Sequence, residues 1–214
     1  MKIWRIIIPL VLFGTQLSAT DNALAMYDKN FSMSLQGSNR YPVMDYTMEI
    51  IGFSTPFLEF GFIGLNQFTS INSTLNKQAK IIATALMVDA ALVGIIKYTV
   101  RRNRPVRTKY QPRLFNTRIT PSFPSGHVSL SAAFSTVMAA YHPELKTPLI
   151  LYVLASAYSQ IYVGNHYLSD VVGGVILGII VGNLVVSEME SSGPKQTTLN
   201  RPLYLTFSIP LTLY

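Results

Sequence analysis

Four apolar runs dominate the pattern of hydrophobic and polar positions along the chain. They cover residues 81–96, 128–141, 148–159 and 171–186. Runs of this length exceed an ordinary strand, so we predict four helices that pack as an all-α bundle. Each run is shorter than the ~20 residues usually needed to cross a bilayer. The pattern alone leaves open whether the helices form a soluble bundle or short membrane spans.

Residues 41–68 have apolar positions at mixed helical spacing, interrupted at Thr55-Pro56. Proline lacks a backbone donor and usually ends or kinks a helix, so this stretch predicts two short helices. Glu59 lies among apolar neighbours, and we expect it at a helix end or on the surface because carboxylates are rarely buried. Residues 27–40 are polar with little periodic signal, and they do not predict a regular element.

The beginning of the chain has the layout of an export signal. Lys2 and Arg5 precede an apolar core at residues 6–13, and residues 23–25 read Ala-Leu-Ala, which fits a cleavage site. We interpret residues 1–25 as a signal peptide, with a first membrane helix as the alternative. Either interpretation places the rest of the chain outside the cytoplasm.

The C-terminal tail has a different pattern. Apolar and polar residues alternate from Leu203 to Tyr214. A period of two predicts an extended segment with one apolar face, and Pro210 restricts it to an edge or an isolated strand. We therefore divide the chain into a helical domain at residues 26–193 and a short extended C-terminal segment at residues 194–214.

The composition is more apolar than that of an ordinary soluble domain. Hydrophobic residues make up 49% of the chain and charged residues 13%, against roughly a quarter charged in typical domains. Cysteine is absent, which excludes disulfides and thiol catalysis. The net charge of +7 is local, because eight of the 17 basic residues follow one another without an acid between them: Lys97, Arg101, Arg102, Arg104, Arg107, Lys109, Arg113 and Arg118. This excess favours an anionic ligand or membrane surface, and no nucleic-acid-binding motif accompanies it.

Three polar clusters lie at the ends of apolar runs, where bundling would join them into a pocket. In the first, Lys97 and Arg104 are seven positions apart, so both can point the same way before Pro105 stops the helix. A converging ammonium and guanidinium suit phosphate oxygens. A solvated basic run at a helix end is the alternative.

The second cluster, Ser125-Gly126-His127, opens the next apolar run. Gly126 lets the backbone approach a ligand, and the N–H groups at a helix start favour an anion. Ser125 adds a hydroxyl donor, and His127 can give a proton to a leaving oxygen. The alternative is a serine N-cap followed by a surface histidine.

The third cluster contains His166 and Asp170, one helical turn apart if this stretch is helical. A carboxylate bonded to one ring nitrogen fixes the tautomer and leaves the other nitrogen free to attack. Gly164 and Asn165 break the preceding helix and could aim the imidazole into the pocket. A purely structural histidine–aspartate pair is the alternative.

Together the clusters resemble the three-part motif of the type 2 phosphatidic acid phosphatase superfamily, which shares its fold with acid phosphatases and vanadium haloperoxidases. That motif reads K-x6-R-P, P-S-G-H and S-R-x5-H-x3-D. The order and spacings match across residues 81–186, at Lys97 and Arg104-Pro105, at residues 124–127, and at Ser159, His166 and Asp170. One position departs, because Gln160 stands where the family has arginine.

The resemblance implies an α-helical bundle with a phosphatase site that needs no metal and no cofactor. His166 would attack phosphorus and form a phosphohistidine while Asp170 orients it, and His127 would protonate the leaving group. The phosphate oxygens would be held by a set of five residues: Lys97, Arg104, Ser125, Gly126 and Gln160. Gln160 can donate hydrogen bonds but cannot balance charge, and the candidates for replacing the family arginine are Arg101, Arg102 and Arg107.

We expect from this resemblance a phosphatase on the periplasmic side of the cell envelope that hydrolyses phosphate monoesters or pyrophosphates, chiefly of lipids. Its partners would be the phosphorylated substrate and the membrane surface, with no nucleic acid. A soluble periplasmic acid phosphatase with broad substrates and a non-catalytic phosphate-binding envelope protein are the alternatives. The sequence does not identify the substrate or the oligomeric state.

Overall fold

The computed structural model describes residues 4–18, 23–37, 41–69, 73–106 and 119–191. Within these ranges the chain forms seven α-helices and a short 3-10 turn at Pro143–Leu145, and no strand. The helices are α1 (Trp4–Ser18), α2 (Ala23–Ser34), α3 (Pro42–Thr69), α4 (Ser73–Val100), α5 (Gly126–Tyr141), α6 (Lys146–Tyr162) and α7 (Leu168–Ser191). The predicted all-α class is confirmed, whereas the predicted extended segment at residues 194–214 lies outside the described residues.

Helix α5 is the centre of the bundle, with α7, α4, α6 and α3 packed around it. The contact between α5 and α7 depends on three glycines spaced one turn apart: Gly174, Gly178 and Gly182. A Cβ atom at Gly174 would lie 2.6 Å from the Ser125 carbonyl oxygen, and one at Gly182 would lie 2.7 Å from Thr136 Cβ. A Cβ atom at Gly178 would overlap the backbone of α5 in the same way. Only glycine therefore lets the two helices approach so closely.

The four helices predicted from the apolar runs are present, but two are much longer than the runs. Helix α4 has 28 residues and α7 has 24. Among the described residues three segments are long and apolar enough to cross a membrane: Pro42–Asn66, Thr74–Val100 and Leu168–Ser191. The apolar runs are shorter than these helices, because α4 and α7 continue through polar residues that do not mark the end of the helix.

Helix α3 corrects the prediction of two short helices, because it continues through Pro56. Proline cannot donate to the carbonyl four residues earlier, which is that of Gly52. The side-chain amide of Gln160 donates to this carbonyl instead, at 3.2 Å. Glu59 is also corrected: it is 1% exposed inside the bundle and accepts a hydrogen bond from the Tyr152 hydroxyl at 2.9 Å.

The two N-terminal helices pack on the bundle. Helix α1 buries Ile7, Leu10 and Leu17, and the ring of Phe13 meets that of Phe123 edge-on with centroids 6.3 Å apart. Helix α2 forms where the sequence has little periodic signal, because its buried contacts are polar ones with the start of α7 rather than an apolar stripe. The signal peptide at residues 1–25 stays a prediction.

Candidate active site

The three polar clusters meet at one pocket of about 350 Å³ between α3, α4 and α5 and the segments that precede α5 and α7. Its lining comprises Pro56, Lys97, Arg104, Ile119, Thr120, Gly126, His127, Leu130 and His166. Five of the eight predicted site residues are among these: Lys97, Arg104, Gly126, His127 and His166. These five residues, which are separated by up to 69 positions in the sequence, thus face the same space.

Lys97 lies in the last turn of α4 and is 7% exposed. Its ammonium donates to the backbone carbonyls of Pro121 and Ser122, the latter at 3.2 Å. Lys97 therefore holds the segment before α5 against the end of α4 and brings a positive charge to the pocket.

Arg104 reaches the pocket by a route that the sequence did not predict. Helix α4 ends at Val100, because Arg101 adopts the left-handed conformation with φ of 54°, a common way to end a helix. Pro105 is therefore not the residue that ends it. The Arg104 guanidinium donates to the carbonyls of Thr120 at 2.8 Å and Asn165 at 3.0 Å. These bonds fix the guanidinium between the segments that precede α5 and α7.

His166 lies in the short connection between α6 and α7, which Gly164 opens with a positive φ of 69°. The backbone N–H groups of Asn165 and His166 both donate to the Gln160 carbonyl, at 3.0 and 3.2 Å. The imidazole is 3% exposed. Its Nε2 atom lies 3.3 Å from an Arg104 nitrogen. The predicted helix break at residues 164 and 165 is confirmed, and it turns the ring towards the pocket.

Asp170 lies directly behind His166, in the first turn of α7. Its Oδ2 atom is 3.6 Å from His166 Nδ1 and accepts hydrogen bonds from the Ser122 hydroxyl and from the Tyr167 N–H at 2.9 Å. Its Oδ1 atom forms an ion pair with Arg102 at 2.6 Å. The Asp170 side chain has 0% exposure. Its carboxylate is held by several donors and faces Nδ1 of His166, the ring nitrogen that points away from the pocket.

Burial dominates the protonation of both pocket histidines. It lowers the pKa of His166 to about 3; Asp170 opposes this shift, while Arg104 and Lys97 add to it. Burial, Arg104 and Lys97 together lower the pKa of His127 to about 4. Both imidazoles are therefore neutral near pH 7. Neutral His166 has the lone pair that nucleophilic attack requires, whereas His127 must gain a proton first. A phosphate in the pocket would favour that proton because its charge offsets the two cations.

Two predicted phosphate-binding residues do not line the pocket. Ser125 occupies the N-cap position of α5 without capping it, and its buried hydroxyl has no hydrogen-bond partner among the described residues. Its backbone N–H donates to the Asp170 carbonyl at 2.9 Å. Gln160 points away towards α3, where its amide bonds the Gly52 carbonyl, and its oxygen accepts from the Asn165 side chain at 3.1 Å. Gln160 therefore does not take the place of a phosphate-binding arginine.

Asp28 was not predicted near the site, and Arg102 was predicted only as a candidate for the missing pocket arginine, yet Arg102 bonds both Asp28 and Asp170. Arg102 is 4% exposed and forms ion pairs with Asp170 and, at 2.7 Å, with Asp28, while its guanidinium lies 4.1 Å from the centre of the Tyr167 ring. These contacts occupy Arg102, so it does not supply the missing pocket charge. Arg101, the second candidate, donates to the Tyr98 carbonyl, and Arg107 lies outside the described residues. The basic run gave no sign of which arginine would be buried, and Asp28 had no signal at all.

In the described ranges no group of three or more His, Cys, Asp or Glu side chains is placed to hold a metal ion. The pocket is lined by two cationic side chains, Lys97 and Arg104, and by the two imidazoles. This donor set suits an anion rather than a hard divalent cation, which prefers oxygen ligands.

Part of the chain resembles known proteins. Residues 78–192 match the family model of the PAP2 superfamily. Undecaprenyl-diphosphatase BcrC of Bacillus subtilis is 38% identical over 63 residues, which cover 29% of this chain and 33% of that protein. Decaprenylphosphoryl-5-phosphoribose phosphatase of Mycobacterium tuberculosis is 38% identical over 97 residues, 45% of this chain and 53% of that protein. The matches thus span between a third and about half of these relatives.

The fold is also similar to that of a solved membrane protein. The crystal structure of a transmembrane PAP2 type phosphatidylglycerolphosphate phosphatase from Bacillus subtilis aligns with a TM-score of 0.69 at 21% identity. The alignment covers 89% of this chain and 98% of that one. At this identity the likeness establishes the arrangement of helices.

Proposed function

The chain belongs to the PAP2 superfamily, and on this basis we propose that it is a phosphatase that hydrolyses phosphate monoesters or pyrophosphates of membrane lipids. The observation that carries the proposal is the meeting of His166, His127, Lys97 and Arg104 at one pocket. Lys97 and Arg104 offset the negative charge of a phosphate, and the His166 imidazole attacks it. The His127 imidazole gives a proton to the leaving group.

In the first step the Nε2 lone pair of His166 attacks phosphorus, and the bond from phosphorus to the leaving oxygen breaks. His127 gives its proton to that oxygen, so the alcohol or phosphate leaves neutralised. Asp170 faces Nδ1 at 3.6 Å and stabilises the positive charge that the imidazole gains. Lys97 and Arg104 hold the oxygens that carry negative charge, with the first N–H groups of α5 at Gly126 as further donors.

In the second step water attacks the phosphohistidine. His127, now neutral, takes a proton from that water while the new oxygen–phosphorus bond forms and the nitrogen–phosphorus bond breaks. His166 recovers its lone pair and inorganic phosphate is released. Each group returns to its starting state, so the cycle needs no metal and no cofactor.

Lipid substrates are supported by the three apolar helices and by the relatives. The two relatives are named for an undecaprenyl diphosphate and a decaprenylphosphoryl sugar phosphate. We place the pocket on the periplasmic side. The basic residues at the start of the chain, Lys2 and Arg5, would stay in the cytoplasm, so the far end of α1 would face the periplasm. Gly14, near the other end of α1, packs on Phe123, which precedes the pocket residue Gly126 by three positions.

A substrate panel in the presence of a chelator tests the proposal. Purified protein in detergent is given phosphatidic acid, phosphatidylglycerol phosphate, a polyprenyl pyrophosphate and a water-soluble phosphomonoester, and released phosphate is measured. We expect turnover of at least one lipid phosphate in chelator, and inhibition by vanadate, which mimics five-coordinate phosphorus. Turnover of none of them would favour a non-catalytic phosphate-binding protein, and a requirement for a divalent ion would contradict the mechanism.

A further inference from the structure

Helix α2 lies outside the region that matches the family, yet one of its side chains bonds two neighbours of Asp170, Arg102 and Ser169. Asp28 is 7% exposed. Its Oδ2 atom accepts from the Arg102 guanidinium at 2.7 Å and from the Ser169 hydroxyl, and its Oδ1 atom accepts from the Ser169 N–H at 3.1 Å. One carboxylate therefore binds the segment after α4 to the first turn of α7.

Helix α2 also supplies hydrogen-bond acceptors for the first backbone N–H groups of α7. The first N–H groups of any helix lack partners within it. Here the Leu168 N–H donates to the Ser32 hydroxyl at 2.8 Å and the Ser169 N–H donates to Asp28. The first turn of α7 also carries Asp170, and the Ser169 N–H that donates to Asp28 belongs to the residue directly before it.

Arg102 connects the two aspartates. One of its terminal nitrogens binds Asp28 at 2.7 Å, and the other binds Asp170 at 2.6 Å and the Ser169 hydroxyl at 2.7 Å. The guanidinium is thus shared between two carboxylates. Without Asp28 its full positive charge would face Asp170 alone and compete with the imidazole of His166 for that carboxylate.

We propose that Asp28 is a positioning residue of the active site, which acts through Arg102 and Ser169 to keep the Asp170 carboxylate directed at His166 Nδ1. This inference rests on the proposed function only for its kinetic consequence. Its structural consequence is a fixed tautomer, in which Nδ1 of His166 carries the hydrogen and Nε2 keeps the lone pair that faces the pocket.

The test compares Asp28→Asn with Ser32→Ala in the full-length protein. Ser32→Ala removes the hydroxyl that accepts from the Leu168 N–H. Asp28→Asn replaces one acceptor oxygen by a donor and removes the negative charge that pairs with Arg102. Thermal unfolding gives the loss of stability for each variant. Kinetics on a lipid phosphate that the wild type hydrolyses separate kcat from KM. Long-range ¹H–¹⁵N NMR of histidine-labelled protein, which contains three histidines, reports the tautomer of His166 without need of turnover.

For Asp28→Asn we expect kcat to fall by about 10- to 100-fold with KM little changed, the scale seen when the partner that orients a functional histidine is lost. We expect the His166 signals to change from the Nδ1–H tautomer to a mixture. Ser32→Ala should keep wild-type kcat and tautomer at a similar loss of thermal stability. If Asp28→Asn does not fold, Arg102→Lys should show the same two changes, because lysine cannot bond both carboxylates as a fork.

Wild-type kcat and tautomer in Asp28→Asn, or in Arg102→Lys where that is the variant that folds, would overturn the proposal. So would a Ser32→Ala variant that reproduces both changes, because α2 would then act on stability alone. A wild type inactive on every substrate would refute the proposed function instead. The tautomer comparison would then still decide the role of Asp28.

Discussion

The substitution Gln160→Arg restores the residue that the family motif has at this position, and we predict that it harms the protein. In this chain the Gln160 amide donates to the Gly52 carbonyl at 3.2 Å, which Pro56 cannot reach with an N–H of its own. Its oxygen holds the Asn165 side chain at 3.1 Å, and the Asn165 carbonyl in turn accepts from Arg104 at 3.0 Å. Gln160 therefore stabilises both α3 at the pocket wall and the segment that fixes Arg104.

The size of the effect follows from burial. Gln160 is 2% exposed, and neither hydrogen-bond partner of its side chain, Gly52 or Asn165, carries a negative charge. An unpaired buried charge costs several kcal/mol. Arginine also offers no acceptor in place of the Gln160 oxygen that binds the Asn165 amide, and the loss of such a buried partner costs about 1–3 kcal/mol. The space is also limited, because a Cβ at Gly52 would lie only 2.9 Å from the Gln160 amide nitrogen. We expect the free energy of unfolding to fall by about 3 kcal/mol, and kcat/KM to fall at least ~10-fold.

Chemical denaturation and steady-state kinetics on one lipid phosphate measure both quantities. Gln160→Met is the matched control, because it keeps the length and removes the hydrogen bonds without adding charge. In a Pro56→Ala background the backbone regains an N–H that can donate to the Gly52 carbonyl, and Gln160→Met should then cost less than in the wild type. A rise in kcat/KM for Gln160→Arg with stability unchanged would refute this reasoning and show that the pocket lacks a cation that arginine can supply.

The remaining predictions concern the proton donor and the packing of α5 on α7. His127→Ala should slow turnover by about 10²- to 10⁴-fold for esters with poor leaving groups and much less for a nitrophenyl ester, because only the former need the proton; equal slowing of both would exclude the role of His127 as acid. Gly178→Ala should lower the free energy of unfolding by about 1–3 kcal/mol, because the new methyl group meets backbone atoms of α5. The matched control Gly94→Ala, where no described atom lies within 4 Å of an added Cβ, should be neutral or stabilise α4 by up to ~1 kcal/mol, and equal losses for both glycines would contradict the packing account.

Much of the fold and part of the site follow from local sequence patterns. Apolar periodicity identified α5, α6 and the central parts of α4 and α7, because burial of these runs determines their structure. The motif spacings predicted that His166, His127, Lys97 and Arg104 would meet at one pocket, since each residue lies at or just beyond a helix end. Gly164 indicated the break that turns His166 inward, because positive φ favours glycine.

What the sequence did not predict depends on contacts between distant side chains. Helix α3 continues through Pro56 only because Gln160, 104 positions later, satisfies the freed carbonyl. Asp28 is an isolated acid in a polar stretch, and its structural role depends on its contacts with Arg102 and Ser169 on other elements. Such long-range polar pairs leave no periodic signal, so only the three-dimensional structure reveals them.

The central claim is that His166 forms the covalent intermediate, and trapping that intermediate tests it most directly. Protein mixed with a ³²P-labelled lipid phosphate is quenched within the first turnovers, digested, and analysed by mass spectrometry for the site of the label. The account predicts phosphate on His166 in the wild type and none in His166→Ala. With a substrate that has a good leaving group, it predicts that more phosphohistidine accumulates in His127→Ala than in the wild type. Label on another residue, or rapid turnover by the His166→Ala variant, would contradict it.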